Sequence, residues 1–521
     1  MLDAKKVILT LANNTTNTIT DSSRLSTEED YSAAIYSKED LIINGNGTLN
    51  VNAGYRNGIK STDDCIIVSG TLNITSTEDG IIGKDLCGIV AGDININAGS
   101  DGIKSTYDTD TTKGNVIIEG GNITIKASND GIQAENILVI NDGTINIKTN
   151  NGAADTTQTH TDNMYMGRGG FGFNNNKTTT TTDDTSESRK GIKAGNMLII
   201  NDGDITIDSD DDSVHCNSEI YIYGGTINAA TGDDGVHADD LLTVNGGTIN
   251  ITQCYEGIEA DDIVINDGDI SVVSSDDGIN SSDGSITING GNLLINASGD
   301  GLDANGSIII NGGYIVVLGP TSDGDTAIDY DDSCTINGGT VMAFGSSGML
   351  EIPKGASNGA CIVTAFTSVS GGSKYTLSDS NGNEILSYTP SKAYAAAIVY
   401  SDKITTGNTY NITAGSTTLS IEVTSDVTSN VSSGLGKAGG MNMPGNGGSG
   451  MPNNGSSDNG MNGNSNGSMP DMSGNGAPDM NGNSSGDMPS MGGNSSNNGG
   501  NMPNMNNGSS NGSAPQMNNR M

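Results

Sequence analysis

Tryptophan is absent from this chain, and phenylalanine occurs only four times in 521 residues. A flat surface of stacked aromatic rings needs such residues, so the composition argues against a binding platform of that kind. Cysteine is also scarce, with six residues and no C-x-x-C motif, which excludes the usual spacing of zinc and redox sites. No run of about 18 apolar residues is present, so membrane insertion is not expected.

Basic residues are few: 22 lysines and arginines stand against 62 aspartates and glutamates, and the formal net charge is -40. Such a polyanion repels nucleic acid and anionic membranes, so neither is an expected partner. An anionic partner would need a cation between it and the protein. The N-terminus also lacks the charged and apolar regions of a signal peptide. Because the chain opens in strand-like sequence from Val7 to Leu11, we expect the full protein to begin further upstream, with an export signal and a capping coil.

Glycine is abundant, at 76 residues, and much of it belongs to one repeated motif. The motif is an acidic residue, Gly, Ile or Val, any residue and usually a small residue, as in D-G-V-H-A at 234. Its second position is Gly or Ser at 58, 80, 102, 131, 191, 213, 235, 257, 278 and 301. Most of these steps are 21 to 23 residues, and a second motif, N-G-G or N-D-G, keeps the same step. Two independent columns with one period indicate a repeat architecture.

Each repeat holds three short β-rich runs separated by Gly, Asn and Asp, which are turn residues. Such runs are too short for helices. The sequence therefore predicts an all-β protein whose residues 1–345 form a parallel β-helix with about 22 residues per coil. Residues 5 to 345 would supply roughly eleven or twelve coils. The residue after each motif glycine, for example Ile59, Ile258 or Leu302, would join a buried aliphatic column.

Three segments fall outside this period. Residues 150–188 lengthen one repeat and are predicted to be a disordered insertion loop. Residues 346–425 contain alternating strands and a hairpin turn at S-N-G-N from 380, which predicts a small antiparallel β cap over the last coil. Residues 426–521 are rich in Gly, Asn, Ser, Met and Pro and predict a disordered tail.

Cys65 and Cys87 are 22 residues apart, so coil stacking would make them neighbours. A coil spacing of about 4.8 Å falls inside the Cα range of a disulfide. A buried ladder of free thiols fits the spacing equally well, and both interpretations stay open.

The acidic residue before each motif glycine forms a further column, which is doubled in some coils and followed by a second acidic turn. Stacking places these charges about 4.8 Å apart, which costs free energy unless the groups are protonated, splayed into water or bridged by cations. Ca²⁺ binds six to eight oxygens and suits such a ladder. The candidate ligands are Asp211, Asp212, Asp233, Asp234, Asp239, Asp240, Glu256, Asp262, Asp276, Asp277 and Asp300. For any single aspartate, the turn chemistry of Asp-Gly is the simpler explanation.

Two positions after each motif glycine, the side chains should point outward and form a polar stripe along the helix axis. Six of them are candidate contacts for a linear polysaccharide: Lys60, Lys104, Lys193, His215, His237 and Glu259. A solvated outer face is an equally good interpretation. The stacked histidines are predicted to be a surface pair, because a transition-metal site normally has close, mixed ligands.

Evidence for catalysis is thin. The run T-D-D-C-I at 62 faintly resembles a polygalacturonase motif, but the G-H-G and R-I-K elements of those enzymes are missing. β-Helix pectate lyases use an Arg or Lys base together with Ca²⁺. Lys60, Lys104 and Lys193 are available as a base, yet none stands within an aspartate cluster. A lyase is therefore the first alternative to pure binding, and a passive surface or adhesive protein is the second.

Five segments together resemble a known family, the carbohydrate-binding domain-containing β-helix proteins of clostridia and their relatives. They are K-G-I-K-A at 190, D-D-G-V-H-A-D-D at 233, Y-E-G-I-E-A at 255, S-S-D-D-G-I-N at 274 and G-D-T-A-I-D-Y at 324. The resemblance covers about residues 1–425, and the family is similar in architecture to pectate lyases. It implies a right-handed single-stranded helix, Ca²⁺ sites and an extracellular or cell-surface location. It also implies binding of polygalacturonate-like acid sugars, without assured enzyme activity.

These observations lead to one hypothesis for function. We expect a monomeric, Ca²⁺-loaded β-helix that binds acidic plant polysaccharide, such as polygalacturonate or pectin, on one face. Metal ions would bridge the sugar carboxylates to the protein carboxylates.

Overall fold

The structure, a computed structural model, describes residues 4–22, 31–154 and 188–431. These residues form 46 β-strands and no helix, and therefore contain no helix that is long and apolar enough to cross a membrane. Three long sheets, named A, B and C in the order in which the chain first enters them, run along a solenoid of about 13 turns. A fourth sheet, D, is antiparallel and has four strands. The all-β prediction and the parallel β-helix are confirmed.

Sheet A contains β1 Lys6–Leu11, β4 Asp40–Gly45, β7 Cys65–Ile67, β10 Leu86–Ile89, β13 Asn115–Ile118, β16 Ile137–Ile140, β19 Met197–Ile200, β22 Glu219–Ile222, β25 Leu241–Val244, β28 Asp262–Ile265, β31 Ile286–Ile288, β34 Ser307–Ile310, β37 Ser333–Ile336 and β39 Gly355–Ala356. Sheet B contains β2 Thr16–Asp21, β5 Thr48–Ala53, β8 Thr71–Ser76, β11 Asp93–Ala98, β14 Asn122–Ala127, β17 Thr144–Thr149, β20 Asp204–Ser209, β23 Thr226–Thr231, β26 Thr248–Cys254, β29 Asp269–Ser274, β32 Asn292–Asn296, β35 Tyr314–Leu318, β38 Thr340–Gly345, β43 Tyr394–Ser401, β40 Ala360–Val369 and β46 Val427–Ser429. Sheet C contains β3 Ala33–Ser37, β6 Asn57–Ser61, β9 Ile81–Gly83, β12 Ile103–Lys104, β15 Ile132–Ala134, β18 Ile192–Ala194, β21 Val214–Cys216, β24 Val236–Ala238, β27 Ile258–Ala260, β30 Ile279–Ser281, β33 Leu302–Ala304 and β36 Ile328–Tyr330. Sheet D contains β42 Glu384–Tyr388, β41 Tyr375–Asp379, β44 Thr409–Ala414 and β45 Thr417–Glu422.

The motif glycines lie directly over one another just before sheet C. The amide of Gly235 donates to the carbonyl of Glu256 at 2.9 Å, and the amide of Gly278 donates to the carbonyl of Asp300 at 2.9 Å. A Cβ placed on Gly235 would lie 2.5 Å from the carbonyl oxygen of Gly257, closer than any real side chain is found. Glycine is needed here because successive coils approach too closely for a side chain.

The residue after each motif glycine lies in the core, as predicted. Ile59, Ile258 and Leu302 are each fully buried, and the column is paired in register from one coil to the next. Alternation in the other sheets follows the same logic: the strand Leu241–Val244 buries its second and fourth residues and turns its first and third outward. The aliphatic interior is therefore continuous along the solenoid, and each coil buries its apolar residues against its neighbours.

Cys65 and Cys87 are paired neighbours on strands β7 and β10, which confirms the predicted stacking. All six cysteines are buried free thiols. Burial raises the pKa of Cys87 to about 12, so the thiol stays protonated at neutral pH. The structure therefore contains the thiol ladder rather than the disulfide.

The predicted cap is present and continues the solenoid. Strand β43 runs antiparallel to β38, the last solenoid strand of sheet B, and β40 adds to β43 on its other side. Phe344 of β38 packs in a second core with Tyr375 and Tyr394 of the cap. The predicted turn at 380 joins β41 and β42 as a hairpin, with Gly382 at a φ of +84°. The cap thereby covers the edge that the last coil would otherwise expose.

The number of turns and two boundaries differ from the sequence predictions. The structure has about 13 turns instead of eleven or twelve, because the glycine motif marks only sheet C, which has 12 strands, while sheets A and B extend one turn further. Strand Gly355–Ala356 still belongs to sheet A beyond 345, and strand Val427–Ser429 pairs with β40 beyond 425. Most of the predicted insertion at 150–188 and the tail from 432 onward lie outside the described residues.

Candidate functional site on sheet C

The polar stripe lies in one file along the outer side of sheet C. Lys193 pairs with His215, His215 with His237, and His237 with Glu259 on successive strands. The file then continues through Asn280 to the acidic end. The register predicted from the 22-residue step is thus confirmed. These side chains are partly buried, and His215 is only 8% exposed, so the stripe is a semi-enclosed surface instead of a solvated face.

The basic end of the stripe is less open to a ligand than its sequence indicates. Lys60 and Lys104 flank Ile82, whose side chain is buried in the same file. The ammonium of Lys104 donates to Asp101 Oδ2 at 2.6 Å, and the ammonium of Lys193 donates to Ser188 Oγ at 3.2 Å. Two of the three predicted lysine contacts are therefore already engaged by groups of the protein.

The aspartates before the motif glycines form a hydrogen-bonded ladder. Asp101 Oδ1 accepts the amide N–H of Asp130 at 3.0 Å, and Asp212 Oδ1 accepts that of Asp234 at 3.1 Å. Asp234 Oδ1 accepts the amide of Glu256 at 3.2 Å in the same way. One oxygen of each carboxylate therefore ties its coil to the next, which gives these residues a structural role in addition to any role with a ligand.

Lys190 occupies the middle of the densest acidic cluster. Its ammonium lies 2.9 Å from Asp211 Oδ1 and 2.6 Å from Asp212 Oδ2. Burial alone would raise the pKa of Asp212, but Lys190 holds it well below its usual range with help from the neighbouring imidazoles. The side-chain oxygens of Asp211, Asp212 and Asp233 do come together, within 4.8 Å of one another. A lysine ammonium, however, already supplies the positive charge that the sequence analysis assigned to a metal ion.

Two histidines follow on adjacent coils beside this cluster. Their rings are 4.9 Å apart between centroids, and His215 Nδ1 lies 2.9 Å from Asp212 Oδ2. His237 Nδ1 lies 3.2 Å from Asp234 Oδ2 and 3.4 Å from Glu259 Oε2. Burial lowers the pKa of His237, but the surrounding carboxylates outweigh this effect and raise the pKa to about 10. The predicted surface pair is therefore embedded in a set of mixed, closely spaced ligands.

The acidic end of the stripe brings three carboxylates together. One side-chain oxygen from each of Asp277, Asp300 and Asp303 lies within 4.8 Å of the others. Burial, with the added charges of Asp303 and Asp276, raises the pKa of Asp277 to about 8. Burial also raises the pKa of Asp300 to about 9, although the amide of Thr326 works against it. The charged forms are disfavoured because like charges crowd a poorly hydrated place, and either protons or a cation would relieve this.

Other carboxylates of this face are perturbed in the same direction. Burial, followed by the charge of Glu259, raises the pKa of Glu256 to about 9, and Asn280 donates to Glu256 Oε2 at 2.8 Å. Burial and the charge of Asp234 raise the pKa of Asp233 to about 8. The ionised forms of these carboxyls are thus disfavoured on several successive coils of sheet C.

Five predicted metal ligands lie outside the groups of close ligand atoms found in the described part of the chain: Asp239, Asp240, Glu256, Asp262 and Asp276. Asp240 Oδ2 accepts from Ser218 at 2.7 Å, and Asp262 Oδ1 accepts the amide of Ser285 at 2.9 Å. Asp239 Oδ1 lies 3.6 Å from His237 Nε2. Asp240 and Asp262 of the second acidic turn therefore form hydrogen bonds to residues of a neighbouring coil.

Sequence reasoning missed two residues of this face as ligands or counter-ions. Lys190 stands directly before the motif glycine, at the position where other repeats carry an acidic residue. This exception to the repeat is the sequence signal that indicates a positive charge among the aspartates. Asp303 was predicted as part of the polar stripe, whereas Asp277 and Asp300 belong to the acidic column before the motif glycines. Their close approach depends on side chains from these two columns, which the repeat pattern does not predict. A further acidic group, Asp40, Asp63 and Asp64, lies on earlier coils and was not predicted.

Comparison with known proteins gives this face a context. A family described as "carbohydrate-binding domain-containing protein" matches residues 1–235 and 233–469, which is most of the chain. The chain belongs to this family. A carbohydrate-binding domain-containing protein of Acetivibrio thermocellus is 37% identical over 75 residues, which are 14% of this chain and 26% of that relative. The matched stretch therefore spans about a quarter of the curated relative. No solved structure matches the chain.

Membership of the carbohydrate-binding domain-containing family confirms the resemblance seen in the sequence. Together with the β-helix, it supports carbohydrate as the partner of this protein. The assignment of individual residues to sugar or metal stays a prediction, for which the geometry above is the basis.

Proposed function

We propose that this protein binds an acidic polysaccharide of the polygalacturonate or pectin type along sheet C, outside the cell or at its surface, through Ca²⁺ ions held by the carboxylate ladder. The observation that carries the proposal is the cluster of Asp277, Asp300 and Asp303. The three groups are close together and partly buried, and the pKa values of Asp277 and Asp300 are raised, which is the electrostatic state that a bound cation relieves.

The donor set of this cluster fits Ca²⁺ better than a softer metal. All three side chains offer carboxylate oxygens, and a hard cation with six to eight oxygen ligands accepts such donors in variable geometry. The three carboxylates alone do not fill that number, so water and a sugar carboxylate would complete it. Asp325 and Asp329 add negative charge nearby, since they raise the pKa of Asp277 and of Asp300 respectively.

Cation bridging answers the main electrostatic objection to the proposal. A chain with a net charge of -40 repels a polyuronate, and the repulsion acts over about 8 Å at physiological salt. A Ca²⁺ ion shared between the two partners turns this repulsion into attraction at the contact. Coil stacking repeats acidic groups about every 4.8 Å along the axis, so an extended polymer lying on sheet C would meet such groups repeatedly.

The test measures binding of polygalacturonate to the full chain by isothermal titration calorimetry, with Ca²⁺ and with a chelator. We expect binding in Ca²⁺ and its loss in chelator. Asp303→Asn should weaken binding about tenfold, which corresponds to about 1.4 kcal/mol. Asp267→Asn, an exposed turn aspartate whose Oδ1 accepts only its neighbouring Gly268 amide among the contacts found, is the matched control.

The two variants separate bridging from simple repulsion. Each removes one negative charge, so repulsion alone would let both bind a polyanion slightly better. Bridging predicts that only Asp303→Asn loses affinity. Binding that is unchanged in the chelator would reject the Ca²⁺ bridge. Accumulation of unsaturated sugar products in Ca²⁺ would show that the protein is a lyase instead of a non-catalytic binding protein. A chain that retains no glycan on an array would instead be a passive surface protein.

A further inference from the structure

The two stacked histidines differ in kind from the all-carboxylate end of sheet C. His215 and His237 are paired on strands β21 and β24, and Asp212 lies beside both of their Nδ1 atoms, at 2.9 Å and 3.9 Å from its Oδ2. One ligand atom from each of the three residues lies within 4.8 Å of the others. Two imidazoles and a carboxylate form a donor set that borderline transition metals prefer and that Ca²⁺ does not.

A second observation points to a ligand at this place. His215 is 8% exposed, and its buried Nδ1 has no hydrogen-bond partner among the described residues. The other ring nitrogen, Nε2, lies 2.8 Å from Asn217 Oδ1, to which it donates. Nδ1 in turn faces Oδ2 of Asp212 at 2.9 Å, a distance at which either a proton or a metal ion on Nδ1 joins the two groups. A metal ion at this place would replace that proton.

We propose that His215 Nδ1, His237 Nδ1 and Asp212 Oδ2 form a binding site for a divalent transition-metal ion of the Zn²⁺ class. Asn217 fixes the ring of His215 from behind, as outer partners of metal-bound histidines do. Asp234 Oδ2 and Glu259 Oε2, at 3.2 and 3.4 Å from His237 Nδ1, offer further oxygen donors. The ion would join two consecutive coils of the solenoid at the centre of the polar stripe.

Lys190 is the internal competitor for this ion. Its ammonium lies 2.6 Å from the same Asp212 Oδ2 that would ligate the metal. A metal ion and the ammonium therefore compete for one oxygen. Replacing Lys190 by methionine removes the competing charge while keeping an unbranched side chain, and this should tighten metal binding. The site is independent of the Ca²⁺ cluster at Asp277, so failure of one proposal leaves the other standing.

The experiment is a Zn²⁺ titration of the full chain by calorimetry, in excess Ca²⁺ so that the separate cluster of Asp277, Asp300 and Asp303 is occupied. We expect one tight equivalent of Zn²⁺ in the natural chain and tighter binding in Lys190→Met. His215→Gln and His237→Gln should each weaken it by at least about tenfold. His160→Gln removes the third histidine of the chain, which lies outside the described residues, and should leave the titration unchanged.

A measurement on the natural chain removes any dependence on how the variants fold. X-ray absorption at the zinc edge should show scattering from two imidazole rings. A zinc spectrum with oxygen neighbours only, or equal Zn²⁺ affinity in the natural chain and both histidine variants, would overturn the site. No tight Zn²⁺ binding in the natural chain would do the same.

Discussion

At the scale of single residues, the position within the motif determines whether a side chain lies in the core, in the acidic ladder or on the outer surface. In the repeat that contains E-G-I-E-A, the Glu256 side chain accepts a hydrogen bond from Asn280 and Gly257 allows the close approach of coils. Ile258 is buried and Glu259 lies on the stripe. The sequence predicts correctly that Ile258 is buried and that Glu259 lies on the outer stripe, because both positions follow from alternation along the strand. The repeat pattern does not predict which partner each charged group contacts, because that depends on the length and direction of the side chains.

The buried column gives a prediction for stability. Ile258→Ala should lower the free energy of unfolding by about 2–5 kcal/mol, because it removes buried methyl groups and leaves a cavity between coils that cannot collapse. Leu294→Ala, at a residue 40% exposed on the outer face of sheet B, is the control and should change stability by less than about 0.5 kcal/mol. Chemical denaturation of both variants measures the difference; equal losses would contradict the assignment of the inward face.

At the scale of elements, sheet C and the turns before it carry the candidate site. The period predicts the register of this sheet from Lys193 to Glu259 correctly, since every strand repeats the same step. It does not predict that Lys190 neutralises Asp211 and Asp212 or that Asp303 meets Asp277. These contacts join different columns, and they depend on side-chain length and on local exceptions to the repeat.

The acidic end of sheet C predicts an unusual dependence of stability on pH. Asp277 and Asp300 have folded-state pKa values of about 8 and 9, well above the ordinary value of 3.8. The folded chain therefore binds more protons than the unfolded chain between these limits, and its stability falls as pH rises through them. In chelator, the midpoint of thermal unfolding should decrease from about pH 5 to pH 9, and Ca²⁺ should suppress the decrease by replacing the protons.

Substitutions separate this effect from the general repulsion of a polyanion. Asp277→Asn should flatten the pH profile in chelator, since it removes one of the groups that must lose a proton. Asp267→Asn removes the same charge from an exposed turn and should leave the slope as it was. A profile in chelator that is flat, or that rises toward pH 9, would show that these carboxylates are not strained when ionised.

At the scale of the whole molecule, the fold was almost entirely predictable because a solenoid repeats one local rule. Where the rule stops, prediction loses accuracy: the strands Gly355–Ala356 and Val427–Ser429 extend the described solenoid and cap beyond the boundaries drawn from composition. Right-handedness, the monomeric state and the extracellular location stay predictions, since they rest on the family resemblance or on expectation. The division of one face into a histidine-containing part and an all-carboxylate part emerged only when the coils were stacked.

The proposed function depends most on a cation held between the protein and a bound sugar. The direct measurement is the anomalous difference density of a crystal grown with Ca²⁺ and a short oligogalacturonate. We predict a Ca²⁺ peak at about 2.3–2.6 Å from oxygens of Asp277, Asp300 and Asp303 and from a carboxylate of the sugar. A sugar bound on sheet C with no cation at its carboxylates, or Ca²⁺ found only away from these aspartates, would contradict the account.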